Sequence, residues 1–177
     1  MKNKRMIGFL LVVSGCFFWG IGGTMSQLLF SQGIEVSWLV STRLVIAGIL
    51  LLITQAIFKD RRQILDIWRQ KYTAFRLIIF AIVGMLAVQY TYMASIKEGN
   101  AAVATLLQYL APVMIIIWVT LRGQSVFTRK DAVTIVLALC GSFFLLTNGS
   151  LSAFAVPLPA IIWGLLSGLS LAFYTLY

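Results

Sequence analysis

Residues 89–113 read QYTYMASIKEGNAAVATLLQYLAPV, and this stretch decides the fold. An apolar run breaks at Lys97, Glu98, Gly99 and Asn100, then resumes at Ala101. Gly99 eases a turn there, and Asn100 is a good N-cap for the segment that follows. The pattern predicts two apolar helices folded back on each other through a tight loop.

The same grammar repeats along the chain. Apolar runs occupy residues 6–30, 37–58, 75–96, 101–121, 132–147 and 159–177, each near the roughly 20 residues that a membrane-spanning helix needs. Of the 177 residues, 60% are hydrophobic and 11% charged, against about 25% charged in an average soluble domain. A soluble fold of this length could not bury so much apolar surface. In hydrocarbon every backbone polar group must be satisfied internally, so runs of this length should be helices, and no short alternating strands suggest a barrel. The expected class is an all-α integral membrane protein with about six transmembrane helices. The fifth run is the shortest, so it should stand upright or borrow flanking residues. Thr128 to Asp131 has capping-box spacing and marks its start. Pro157 and Pro159 sit at the entrance to the sixth, where a missing N–H costs little. Residues 6–30 do not read as a cleaved signal peptide, because the run is long, no small-x-small site is present near Leu28, and a second span follows.

The net charge of +9 is distributed by loop parity. Lys2, Lys4 and Arg5 precede the first span. Lys59, Arg61, Arg62, Arg69, Lys71 and Arg76 lie between the second and third. Arg122, Arg129 and Lys130 lie between the fourth and fifth. The intervening loops hold Glu35, then Lys97 with Glu98, then nothing charged from Asn148 to Leu158. This positive-inside pattern puts the N-terminus in the cytoplasm and argues against a nucleic-acid partner. In residues 59–74, Ile64, Ile67, Trp68 and Tyr72 follow roughly helical spacing among basic residues. That segment is either a short helix in the headgroup region or a solvated connector. Consecutive helices joined by short loops should be antiparallel neighbours.

No histidine occurs, and Cys16 and Cys140 both fall mid-span. They are expected to be free thiols that serve as small packing residues. The composition excludes most metal sites and His-dependent catalysis. No span holds Asp or Glu in its middle, and no Gly-rich phosphate loop is present. No catalytic residue, cofactor or metal ligand is therefore expected, and the chain does not read as an enzyme.

Candidate cavity residues lie on several helices. Arg43 lies about a third of the way into its span from the outer side, where a buried guanidinium is costly. It either attracts an anionic substrate group or snorkels outward near Glu98 or Glu35. Thr105, Gln108, Tyr109 and Pro112 fall at i, i+3, i+4 and i+7, one polar face on an otherwise apolar helix, and Pro112 should kink it. Gln89, Tyr92 and Met93 form a face of the third helix. These side chains either line a cavity or join helices by hydrogen bonds. Trp19, mid-span, either lines that cavity or fills core volume. Gly164-x-x-x-Gly168, beside Ser167, allows close helix approach within the molecule or to a partner. A weak echo of residues 8–18 in residues 164–174 suggests that the sixth span restarts a unit of five, which would insert upside down.

Phe17-Phe18-Trp19-Gly20, Ser41-Thr42-Arg43-Leu44, the stretch from Gln89 to Val113, and residues 137–145 (LALCGSFFL) together resemble the EamA family of the drug/metabolite transporter superfamily. The order and spacing of all four carry the resemblance. It implies ten helices in two inverted repeats around a central cavity, with both termini cytoplasmic. It also implies alternating-access transport or export of small metabolites or amphipathic compounds across the bacterial plasma membrane. Residues 1–147 correspond to a first repeat and residues 148–177 to an outer loop and the first helix of a second. Where the family usually has Gly-Glu after the fourth helix, this chain has Gly123-Gln124. The chain ends where the family continues, so the expectation is a partial chain that does not transport as a monomer. Such a chain would associate with itself or with a partner half through faces such as Gly164 and Gly168. The competing expectation is a scaffold or half-transporter subunit that works only with a partner chain.

Overall fold

The computed structural model describes residues 2–58, 67–124, 126–147 and 156–177. All regular structure among them is helical. The rods are α1 (Lys2–Ser31), α2 (Val36–Phe58), α3 (Lys71–Glu98), α4 (Ala101–Leu121), α5 (Arg129–Thr147) and α6 (Leu158–Leu176). Among the described residues, five of them are long and apolar enough to cross a membrane. The charged residues of α5, Arg129-Lys130-Asp131, lie in its first turn, and the helix is mostly apolar from Ala132 onward. Much of residues 59–74, including Ile64, Arg61 and Arg62, lies outside the described residues, as does most of the outer loop before Val156.

Two rods are irregular. α3 passes through a π-helical segment, Phe80–Leu86, before resuming as an α-helix at Ala87. α4 is α-helical over Ala101–Gln108 and again over Ala111–Leu121, with a break at Tyr109 and Leu110. Pro112 has no N–H to offer the carbonyl of Gln108, and its ring crowds the preceding turn. The chain tightens instead, and the Leu110 N–H bonds the Leu107 carbonyl at 3.2 Å. The caps also form. Asn100 Oδ1 accepts from the Val103 N–H at 2.9 Å. Thr128 and Asp131 exchange bonds across the start of α5, from the Thr128 N–H to the carboxylate at 2.8 Å and from the Asp131 N–H to Oγ1 at 3.3 Å.

The α3–α4 hairpin organises the rest. α6 packs mainly on α3 and α4, α1 on α3 and α4, and α2 on α3. Adjacency in sequence therefore gives packing for α2–α3, α3–α4 and α4–α5, whereas α6 lies mainly against the hairpin. The reason is side-chain size. An ideal Cβ on Gly164 would lie 2.5 Å from Leu107 Cδ1, and one on Gly168 would lie 3.0 Å from the Leu107 carbonyl oxygen. An ideal Cβ on Gly99 would lie 2.8 Å from Ala160 Cβ. Leu107 thus fills the notch that these glycines leave. This corrects one expectation: Gly164 and Gly168 are buried inside the molecule and offer no surface to a partner.

Ser95 Oγ donates to the Ala160 carbonyl at 2.8 Å, and Gln108 Nε2 donates to Ser167 Oγ at 2.9 Å. Both bonds are buried, and each contributes about 0.6 kcal/mol by the average for such bonds within membranes. At the other end of α6, the Tyr174 ring stacks on Phe80 with centroids 4.9 Å apart. Gly84 in the π segment leaves room for that ring, since a Cβ there would meet Tyr174 at 3.4 Å.

Every residue from Met6 to Ile21 on α1 is exposed, as is most of α2. These faces carry Leu, Ile, Val and Phe, which suits hydrocarbon. Cys16 and Cys140 are free but exposed, so among the described residues no helix packs over them. The hairpins bring Lys71, Arg76, Arg122, Arg129 and Lys130 to one end of the bundle, here the basic end, and leave Glu35, Lys97 and Glu98 at the other.

Candidate functional site

Polar side chains within the membrane-spanning rods gather where α1 crosses the hairpin. Trp19, Gly23, Ser26 and Phe30 recur at helical spacing on one face of α1. Gly23 and Ser26 are buried on it, and their small side chains allow the close approach. This face meets α3 at two points.

At the first, Arg43 of α2 reaches between the helices. Its Nη1 donates to Ser26 Oγ at 3.4 Å and approaches Met93 Sδ at 3.7 Å. Ser26 Oγ itself donates to the Gly22 carbonyl at 2.7 Å. Arg43 also lines a small cavity of about 100 Å³ with Gln89, Met85, Met93, Val40 and Leu44. Neither hydrogen-bond partner is an acid, so no carboxylate among the described residues neutralises the guanidinium. It has not snorkelled to Glu35 or Glu98, which lie with Lys97, Tyr90 and Trp163 around a separate hollow at the acidic end.

At the second point, Tyr92 lies under α1. Its hydroxyl is 2.8 Å from Thr105 Oγ1, and Thr105 donates to the Ala101 carbonyl at 2.7 Å. The Trp19 ring lies 5.9 Å from the Tyr92 ring, tilted by 45°. A Cβ on Gly23 would sit 3.4 Å from the Tyr92 hydroxyl. Gly20, Thr24, Tyr92, Thr105 and Tyr109 line an open groove of about 450 Å³ between α1 and α4. Gln27 Oε1 accepts from the Ala101 N–H at 3.0 Å and ties the end of α1 to the start of α4.

The structure therefore brings Tyr92, Thr105 and Tyr109 to one groove, with Trp19 against the Tyr92 ring, and Arg43 with Gln89 to a neighbouring cavity. It sends Gln108 elsewhere, into the buried bond with Ser167. Pro112 is exposed beyond the helix break. Gly23 and Ser26 escaped attention in the sequence, although the run Gly20-Ile21-Gly22-Gly23-Thr24-Met25-Ser26 is unusually small and polar for mid-helix. Ser95 carried no local signal, because its partner is remote in the chain, and Ser167 was marked only as a small residue beside Gly164 and Gly168.

A family model described as the EamA-like transporter family matches residues 6–147. The chain is 32% identical over 169 residues to a Salmonella typhimurium protein named as the uncharacterized inner membrane transporter YicL. The match covers 95% of this chain and 56% of that protein, so the chain spans little more than half of its relative's length. No solved structure matches.

Proposed function

This chain belongs to the EamA-like transporter family, and from that premise we propose that it serves a secondary transporter which moves small molecules across the membrane by alternating access. In this proposal residues 1–147 form one repeat, paired with an inverted second repeat that α6 begins. The N-terminus and the basic end face the cytoplasm. The membrane is the bacterial inner membrane, as in the name of the Salmonella relative.

The observation that carries the proposal is Arg43, a guanidinium within a spanning helix that has a hydroxyl and a thioether for partners and faces a cavity shared with Gln89. A permanently charged group at that depth is costly, and its retention fits a role in attracting an anionic substrate group. The arrangement of α1 and α6 supports the inverted repeat. α1 ends beside the start of α4, at Gln27 and Ala101, and α6 begins beside the end of α3, at Ala160 and Ser95. The two helices run in opposite directions against one hairpin, each through a Gly-x-x-Ser step, Gly23 to Ser26 and Gly164 to Ser167. Opposed first helices are what tandem units of odd span number produce. The groove with Trp19, Tyr92, Thr105 and Tyr109 is the proposed wall of the substrate path.

Transport by Arg43 variants tests this. In the full-length transporter, Arg43→Ala and Arg43→Lys should both insert normally and reduce uptake or efflux, the former by about tenfold, the worth of one hydrogen bond to a charged group. Full transport by both variants would remove Arg43 from the substrate path.

A further inference from the structure

A second cavity, of about 470 Å³, lies between α4 and α6 at the basic end, away from Arg43 and Tyr92. Its wall is largely apolar, formed by Met114, Trp118, Leu169, Ala172, Phe173 and Leu176. Its mouth carries Arg122 and Gln124 beside Tyr177. The Arg122 guanidinium lies 4.6 Å over the Trp118 ring, and that of Arg76 lies 5.4 Å from the Tyr177 ring. No acidic residue lines the cavity. Two cations thus flank an opening that leads onto apolar surface.

We propose that this cavity binds an anionic phospholipid of the adjoining leaflet, with the phosphate at Arg122 and Gln124 and an acyl chain along Met114, Leu169 and Ala172. Charge complementarity names the headgroup. The carbonyl end of α4 repels an anion with about half a charge; Arg122, at the C-cap of that helix, outweighs it with a whole one. Arg76 adds a second. A guanidinium held over an indole can still present N–H groups to phosphate oxygens. The apolar wall names the rest of the ligand: Leu169 and Leu176 line the cavity and are exposed on α6, so a chain of methylenes continues from the cavity onto the helix surface. A small water-soluble anion would use the mouth alone and leave this wall empty. Basic pockets between spanning helices are a recognised setting for anionic lipid headgroups.

The test is lipid binding by the purified chain in phosphatidylcholine nanodiscs, with phosphatidylglycerol as the added probe. Phosphatidylglycerol should raise the thermal midpoint and stay bound in native mass spectrometry. Arg122→Gln should weaken its binding about fivefold, the worth of one basic residue near an anionic surface, while Arg129→Gln, of equal charge but outside the cavity, should not. If Arg122→Gln does not fold, the unchanged chain still decides. Brominated phosphatidylglycerol should quench Trp118 more than brominated phosphatidylcholine does, judged by the quenching that Trp118→Phe removes. Equal binding or quenching by the two lipids, undiminished binding by Arg122→Gln, or equal stabilisation by glycerol phosphate alone would overturn the proposal. So would photo-crosslinking from Leu169 that captures a second copy of the chain in place of lipid.

Discussion

The hydroxyl of Tyr92 lies 2.8 Å from that of Thr105, so the third and fourth helices are bonded to each other directly beneath α1. The Trp19 ring and Gly23 cover this bond from above. It joins the two arms of the hairpin at the level of the groove, and it defines a pair whose coupling is measurable.

Tyr92→Phe and Thr105→Val should each destabilise the protein by about 0.6 kcal/mol, and the double variant by little more than either alone. Thermal or denaturant unfolding in detergent reads this cycle. Additive losses would mean that the hydroxyls act separately.

Gly164→Ala puts a methyl 2.5 Å from Leu107 Cδ1 and 3.1 Å from Ser95 Oγ, and overpacking of this kind costs about 1–3 kcal/mol. Leu107→Ala makes a cavity when introduced alone. Together the two substitutions should cost less than their sum, because the clash with Leu107 Cδ1 disappears, although the Leu107 Cβ, 2.8 Å from the new methyl, still has to shift. Cysteine cross-linking between α4 and α6 reports whether the helices stay docked.

Topology is open to direct measurement. With Cys16 and Cys140 replaced, a cysteine at Ser37 or Lys97 should react with an impermeant maleimide in intact cells. One at Gln124 should react only after the membrane is opened. Labelling of Gln124 in intact cells would reverse the orientation proposed from the basic loops.

The Asp131 carboxyl is held below the usual carboxylate range, first by the Thr128 hydroxyl and then by the Thr128 N–H. A carboxyl with a lowered native pKa contributes stability above its unfolded value and loses it as pH falls through the native one. The start of α5 should therefore stay protected from amide exchange at neutral pH and fray in acid below the usual carboxylate range. Asp131→Asn should abolish that pH dependence, and Thr128→Ala should weaken the cap at all pH values.

Much of this was legible in residue order. The apolar runs located all six rods within a few residues, Asn100 and Thr128 marked two helix starts, and Pro112 marked the break in α4. The division of the α4 polar face was not legible. Thr105, Gln108 and Tyr109 share a face by spacing, yet Thr105 and Tyr109 look toward α1 while Gln108 bonds Ser167. Positions three apart differ by about 60° around a helix, and here two different helices occupy that arc. Spacing along one helix cannot say how many neighbours share it. The partners of Ser26, Ser95 and Gln108 lie far away in the chain, so local pattern carried no trace of them.

The π-helical segment of α3 has a consequence for how this protein tolerates change in length. A wide turn stores one surplus residue while the helix on either side keeps its own angular phase. Removal of a single residue within Phe80–Leu86 would let that segment relax to an α-helix, with Arg76 still facing Tyr177 below and Ser95 still facing Ala160 above. The same deletion placed a few residues later, between Ala87 and Tyr92, would rotate Tyr92 and Ser95 by about 100° relative to the lower half of the rod and aim both away from their partners. Length variation in this helix should therefore be absorbed at Gly84 and resisted everywhere above it.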